Sequence, residues 1–161
     1  MKIKEKPIWN FKTKAAAQSS TRSVASSRTF DTIIDEPIER GGTNEGPMPV
    51  ELVMAGLAGC THVIANKLAA HHGTSFDAMD IDILTTMDSR GTRLIEPIDI
   101  PFPKVTINIA VETSGPEEAI NRVMMDLRHH CAVSKMLQQS GTEVVEKWTV
   151  NGIAQPVFEM S

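Results

Sequence analysis

Cys60 and Cys131 are the residues of this 161-residue chain best suited to covalent chemistry. Two thiols brought together can cycle between dithiol and disulfide, whereas two buried apart are small, inert hydrophobes. No C-x-x-C pair is present, and two cysteines are too few for a stapled miniprotein, so neither a zinc ribbon nor a disulfide scaffold is indicated. At roughly 100° per helical residue, Cys60 shares a face with Val53, Gly56, Leu57, Val63, Ile64 and Lys67. Packed there, it is an inert core thiol unless a cation from elsewhere in the chain favours its ionised form. Arg22, Arg28 and Arg40 are the upstream candidates, because a guanidinium keeps its charge. Cys131 either opens a helical stretch whose N-terminus favours a thiolate or ends the core stripe of one continuous helix. Both readings stay open at this point.

The elements that position these residues follow from period and punctuation. Alternation and β-branched residues predict strands near 7–17, 20–26 and 28–35, and Asp35-Glu-Pro37 ends the third. The segment to Pro49 holds Gly41, Gly42, Gly46 and Pro47 and reads as a loop. Glu51 to His72 then predicts a long helix, with Pro49 in its first turn and Gly73 ending it. Its first four turns are apolar or small on every side, which predicts a helix buried all round, with another element close to Gly56 and Gly59. Strand character returns over 76–88. A Pro-rich loop, 89–103, shapes a pocket entrance or is a plain surface excursion. Val105, Ile107, Ile109 and Val111 then put one face of a strand over 104–112 in the core.

Ser114-Gly-Pro-Glu117 is a capping-box pattern opening a second long helix, on which Ile120, Val123, Met124, Leu127 and Cys131 form one stripe. A shorter helix over 132–140 stops at Gly141, a strand covers about 143–150, and residues 152–161 read as a loosely held tail. The order β-β-β-α-β-β-α-α-β predicts one α+β domain over residues 1–161, with mainly antiparallel sheets and residues 1–14 as an N-terminal strand or arm.

Composition narrows the function classes. Sixteen Lys and Arg against twenty Asp and Glu give a net charge of −4, which does not suit a phosphate-held nucleic-acid reader. The longest uncharged stretch, Leu52 to Asn66, is 15 residues, short of the roughly 20 that a membrane span needs. The first residues, Met1 to Pro7, carry charge without an apolar run, so secretion is not signalled and a cytoplasmic protein is expected.

The stretch Gly41-Gly-Thr-Asn-Glu-Gly-Pro-Met-Pro-Val-Glu-Leu-Val-Met-Ala-Gly-Leu-Ala-Gly-Cys60 resembles the signature of the OsmC/Ohr family, G-G-x-x-x-G-P-x-P-x-E-L-x-x-A-x-x-x-C. His130-Cys131-Ala-Val-Ser134 is similar to that family's second motif, H-C-P-x-S. The resemblance covers about residues 15–150. It implies an OsmC-like fold: an intertwined homodimer with long central helices packed between β-sheets. It also implies a thiol peroxidase acting on organic hydroperoxides, with Cys60 attacking the peroxide and Cys131 closing a disulfide on the resulting sulfenic acid. No bound cofactor is implied, and an external dithiol such as a lipoyl-bearing protein restores the thiols.

The match departs from the peroxidase pattern at three places. The family's catalytic Glu stands ten residues before the first cysteine, where this chain has Val50; its carboxylate, Glu51, stands nine before. Glu51 is therefore either a catalytic residue or an acid complementing the helix start. The family's Arg position aligns with Ser19, leaving Arg22 and Arg28 as the activator candidates, and Ala132 replaces the usual Pro. These features resemble a less characterised branch of the family, for which a non-catalytic small-molecule-binding protein and a redox sensor are the alternatives. His71 and His72 read as complements to a helix C-terminus, and His62, His129 and His130 lack the converging spacing that a zinc site needs.

Overall fold

The computed structural model describes residues 7–157 and resolves the chain into two compact units, one up to Val53 and one from Met54.

The first unit is a three-stranded antiparallel sheet, β1 (Thr13–Ala17), β2 (Ser23–Ser27) and β3 (Phe30–Ile34), in that order. β2 and β3 form a tight hairpin, Ser23 opposite Ile34 and Ser27 opposite Phe30, with Arg28 in the turn at φ 57°. The first strand is shorter than its composition predicts and starts at Thr13. All of β1 and most of β3 are exposed, so the sheet has no core of its own. Asp35 organises the loop that follows. Its side chain is out of contact with solvent, and its carboxylate accepts the backbone N–H groups of Glu36 (2.8 Å), Thr43 (3.0 Å) and Glu45 (3.2 Å) and the Thr43 hydroxyl (2.6 Å). The motif glycines are steric requirements of that fold-back. A Cβ on Gly42 would stand 1.8 Å from the Glu36 carbonyl oxygen, and one on Gly46 2.4 Å from that of Ile33.

Helix α1 (Pro49–His71) starts in the first unit and runs on into the second. Glu51 reaches back to accept the Met48 N–H at 2.8 Å, one half of a capping box. Within the second unit α1 buries one face, Leu57, Thr61, Ala65, Leu68 and Ala69, and leaves Gly59, His62 and Val63 exposed. The expectation of burial on every side is corrected: no neighbouring atom lies within 4 Å of a Cβ built on Gly56 or Gly59. α1 is long and apolar enough to cross a bilayer by length and composition, yet its buried face is an ordinary core stripe.

The second unit continues with β4 (Ala78–Thr86), β5 (Lys104–Glu112), α2 (Glu117–His130), α3 (Ala132–Gln139), β6 (Glu143–Val150) and β7 (Ile153–Ala154). The sheet order is β4-β5-β6-β7. β4 and β5 pair antiparallel, but β5 and β6 run parallel, Lys104 beside Glu143 through Val111 beside Val150. A parallel pair needs a crossover, and α2 with α3 supplies it. The alternation of β5 appears as predicted, with Val105, Ile107, Ile109 and Val111 buried, and so does the α2 stripe. Leu57, Ala65 and Leu68 of α1 complete this core with Leu137 and Trp148.

Two smaller expectations are corrected. Ser114 does not cap α2: Pro116 is the N-cap with no side-chain bond, while Thr113 accepts the Gly115 N–H at 3.0 Å. Residues 153 and 154, expected in a loose tail, pair with β6, and residues 158–161 lie outside the described part, as do residues 1–6 of the expected arm. In the loop after β4, Arg90 binds both Asp88 and Glu96 and holds the Asp88 carboxyl down to about 2.

Glu146 is the one carboxylate on β6 placed between the apolar Val144 and Trp148. Burial pushes its carboxyl up to about 7, against the opposing pull of the Arg128 guanidinium and the Trp148 indole. Between its ordinary pKa of about 4.5 and about 7, the folded chain holds a proton that the unfolded chain has lost, so stability falls as pH rises across that window. Urea titrations are expected to give a stability about 2 kcal/mol lower at pH 8 than at pH 5 from this group. Glu146→Gln is expected to flatten that difference.

Candidate active site

Cys60 sits half-buried on α1, 40° to one side of the direction its exposed Gly56 faces if helix geometry is ideal, and so at the margin of the packed stripe. Cys131 is fully buried at the joint between α2 and α3. Its backbone is extended (φ −74°, ψ 105°), which stops α2 and lets the same residue cap α3. Its N–H still donates to Leu127 (2.9 Å), while its carbonyl accepts from Lys135 (3.0 Å). The helix break is thus made without the proline that Ala132 replaces.

Packing on the shared core places Cys60 near enough to Cys131 to act on its ionisation, both as free thiols. Burial pushes the Cys131 thiol up to about 11; the Ser134 backbone N–H opposes this, Cys60 reinforces it, and the Thr61 hydroxyl opposes it. Cys131 therefore keeps its proton at neutral pH and is closed to solvent, while Cys60 has access to a ligand.

In the first unit, Arg22 stands just before β2. Its guanidinium pairs with the Glu45 carboxylate and donates to the Thr43 hydroxyl at 3.2 Å. Thr43 and Glu45 are the residues Asp35 holds, so one buried acid fixes both partners of the arginine. Arg28 is engaged differently, with its guanidinium 5.0 Å from the centre of the Phe30 ring. Glu51 is taken up at the start of α1, as described above. Among the described residues no three His, Cys, Asp or Glu side chains converge as a metal ion needs.

A sequence model of the OsmC-like protein family matches residues 42–147, which include both cysteines and most of the chain. The chain belongs to the OsmC-like family. Solved structures agree on the fold. An OsmC-like protein from Mycoplasma pneumoniae superposes with a TM-score of 0.74 at 16% identity, over 88% of this chain and 97% of that one. A hypothetical protein from Aquifex aeolicus VF5 gives 0.71 at 14% identity, over 89% and 98%. An organic hydroperoxide resistance protein OsmC from Legionella pneumophila gives 0.63 at 16% identity, over 90% and 98%. No curated protein matches the sequence at a significant level.

For this OsmC-like chain the motif pointed to both cysteines and to the loop before α1, but not to the residues that shape their surroundings. Asp35, Thr43 and Glu45 were missed because their roles arise from a loop folding back on itself, which no periodicity records. Thr61 and Ser134 were also missed. The signal for Ser134 was present in the second motif, where it falls one helical turn after Cys131, buried beside it.

Proposed function

We propose that this chain is a thiol-dependent peroxidase that reduces organic hydroperoxides. The placement of the accessible Cys60 close to the buried Cys131, on one core, carries this reading. Cys60, the accessible member, attacks the terminal peroxide oxygen as a thiolate; the O–O bond breaks, and the alkoxide leaves and takes a proton to become the alcohol. The Cys60 sulfenic acid then meets Cys131. The S–S bond forms as the sulfenic hydroxyl departs with the Cys131 proton as water. A dithiol, such as the lipoyl group of a carrier protein, returns both thiols by two exchanges and is itself oxidised to a disulfide. Arg22 is the activating cation of this reading, because its partners are fixed by a built network whereas Arg28 is engaged by an exposed ring. The relative from Legionella pneumophila described as an organic hydroperoxide resistance protein supports the substrate class.

The protein acts as a pair of copies in the cytoplasm. Support for the pairing comes from each unit separately: a sheet with no core of its own in the first, and in the second a glycine-bearing face of α1 left open beside Val63. Cumene hydroperoxide added to the reduced protein tests the chemistry. Both thiols of each chain are expected to disappear together, far faster than the thiol of glutathione under the same conditions. Oxidation no faster than glutathione's would leave a binding protein in place of an enzyme.

A further inference from the structure

A cleft of about 360 Å³ opens between the first two turns of α2 and the β6–β7 hairpin, within the second unit. Its lining on α2 ends at Met124, seven residues and about 10 Å along the helix short of Cys131, so it is separate from the thiols. Glu117, Ile120, Asn121 and Met124 follow one another at i, i+3, i+4 and i+7, one face of the helix. Ile120 and Met124 are buried and form an apolar floor with Val150 and Ile153 from the hairpin. The hairpin wall is braced by the fold itself. Asn151, in the left-handed region at φ 50°, accepts the Thr113 N–H at Oδ1 and donates from Nδ2 to the Thr113 carbonyl, both at 2.9 Å. The Thr113 hydroxyl donates to the Ser75 carbonyl at 2.7 Å and accepts the Gly115 N–H at 3.0 Å.

Those groups are spent on the fold, whereas three others on the lining keep an oxygen to offer. The Glu117 carboxylate and the Asn121 amide make no hydrogen bond or ion pair among the described residues. Gln155 donates from Nε2 to the Ile153 carbonyl at 3.0 Å, which leaves Oε1 as an acceptor. No Lys, Arg or His lines the cleft, so Glu117 supplies its single formal charge. The start of α2 opposes that charge with only roughly half an elementary charge, and the balance stays negative. We propose that this cleft binds a primary ammonium group carried on a short aliphatic arm. An ammonium has three N–H donors, and the cleft offers three side-chain oxygens, one of them charged, above an apolar floor. A free aliphatic amine and a lysine side chain share this chemistry. The site is independent of the thiol chemistry.

Isopentylamine, charged at neutral pH, titrated against the methyl NMR signals of the reduced protein tests the site, with isopentanol as the uncharged control. The amine is expected to shift the methyls of Ile120, Met124, Val150 and Ile153, to bind about ten-fold or more tighter than the alcohol, and to weaken as salt is added. Glu117→Gln is expected to remove about ten-fold of that affinity. Glu118→Gln serves as the charge control: Glu118 pairs with Arg122 and lies off the lining, so its loss should leave binding unchanged. Cys60→Ser should also bind as wild type, whatever becomes of the peroxidase reading. Equal affinity for amine and alcohol, equal effects of the two glutamate variants, or shifts confined to methyls elsewhere overturn the site. An acetylated, amidated lysine then assigns the source. Binding as tight as that of isopentylamine points to a lysine side chain, and binding about ten-fold weaker points to a free amine.

Discussion

Cys60→Ser is expected to abolish hydroperoxide-driven thiol loss, lowering its rate by at least about a thousand-fold, since a serine hydroxyl at neutral pH is a far weaker nucleophile than a thiolate. Cys131→Ser is expected to behave quite differently. Its first encounter with hydroperoxide should proceed at close to the normal rate, because the buried Cys131 takes no part in the attack. The product should be a persistent Cys60 sulfenic acid, trapped by dimedone and identified by mass, in place of the disulfide. The asymmetry follows from burial. A thiol pushed up to about 11 stays protonated and inert toward peroxide, but it carries the proton needed when the sulfenic hydroxyl leaves as water. Stopped-flow oxidation of both variants checks the assignment. Fast oxidation of Cys60→Ser, with Cys131→Ser inert, would exchange the two roles.

Val63→Glu is expected to convert the proposed dimer to monomers. Val63 is 47% exposed in the single chain, so a glutamate there costs little within one copy. Between two copies of α1 meeting along Gly56, Gly59 and Val63, two carboxylates would be desolvated without a partner, which a standard interface does not tolerate. Light scattering should then report a twofold drop in mass, with a shift of the unfolding midpoint to lower temperature. If wild type and variant share one mass, the open face of α1 has another occupant. The same experiment bears on the first unit, whose strands would lose whatever covers them when the copies part.

Much of the second unit was readable because its elements are half-buried. A strand packed on one side shows period two, and β5 does so through four buried residues; a helix packed on one side shows a stripe, and α2 does so from Ile120 to Leu127. α1 misled for the same reason. Apolar side chains on all its faces indicate total burial, but they do not say how much of it comes from the chain's own core. The parallel pairing of β5 and β6 was hidden too, since periodicity describes the faces of a strand and not the direction of its neighbour. In the site, the cysteines stood out by residue type and motif. The partners of Arg22 could not be read off, because the placement of Thr43 and Glu45 depends on three hydrogen bonds to Asp35.

That β6 joins β5 by a crossover has a consequence for when the chain acquires reactivity. Cys131 lies inside the crossing segment, at the kink between its two helices, so its seat beside Cys60 depends on the last strands docking. A ribosome-bound chain that has already exposed Cys60 lacks the partner sulfur in position until β6 emerges and zips alongside β5. Any chemistry that needs both thiols side by side is therefore acquired only once β6 has docked beside β5.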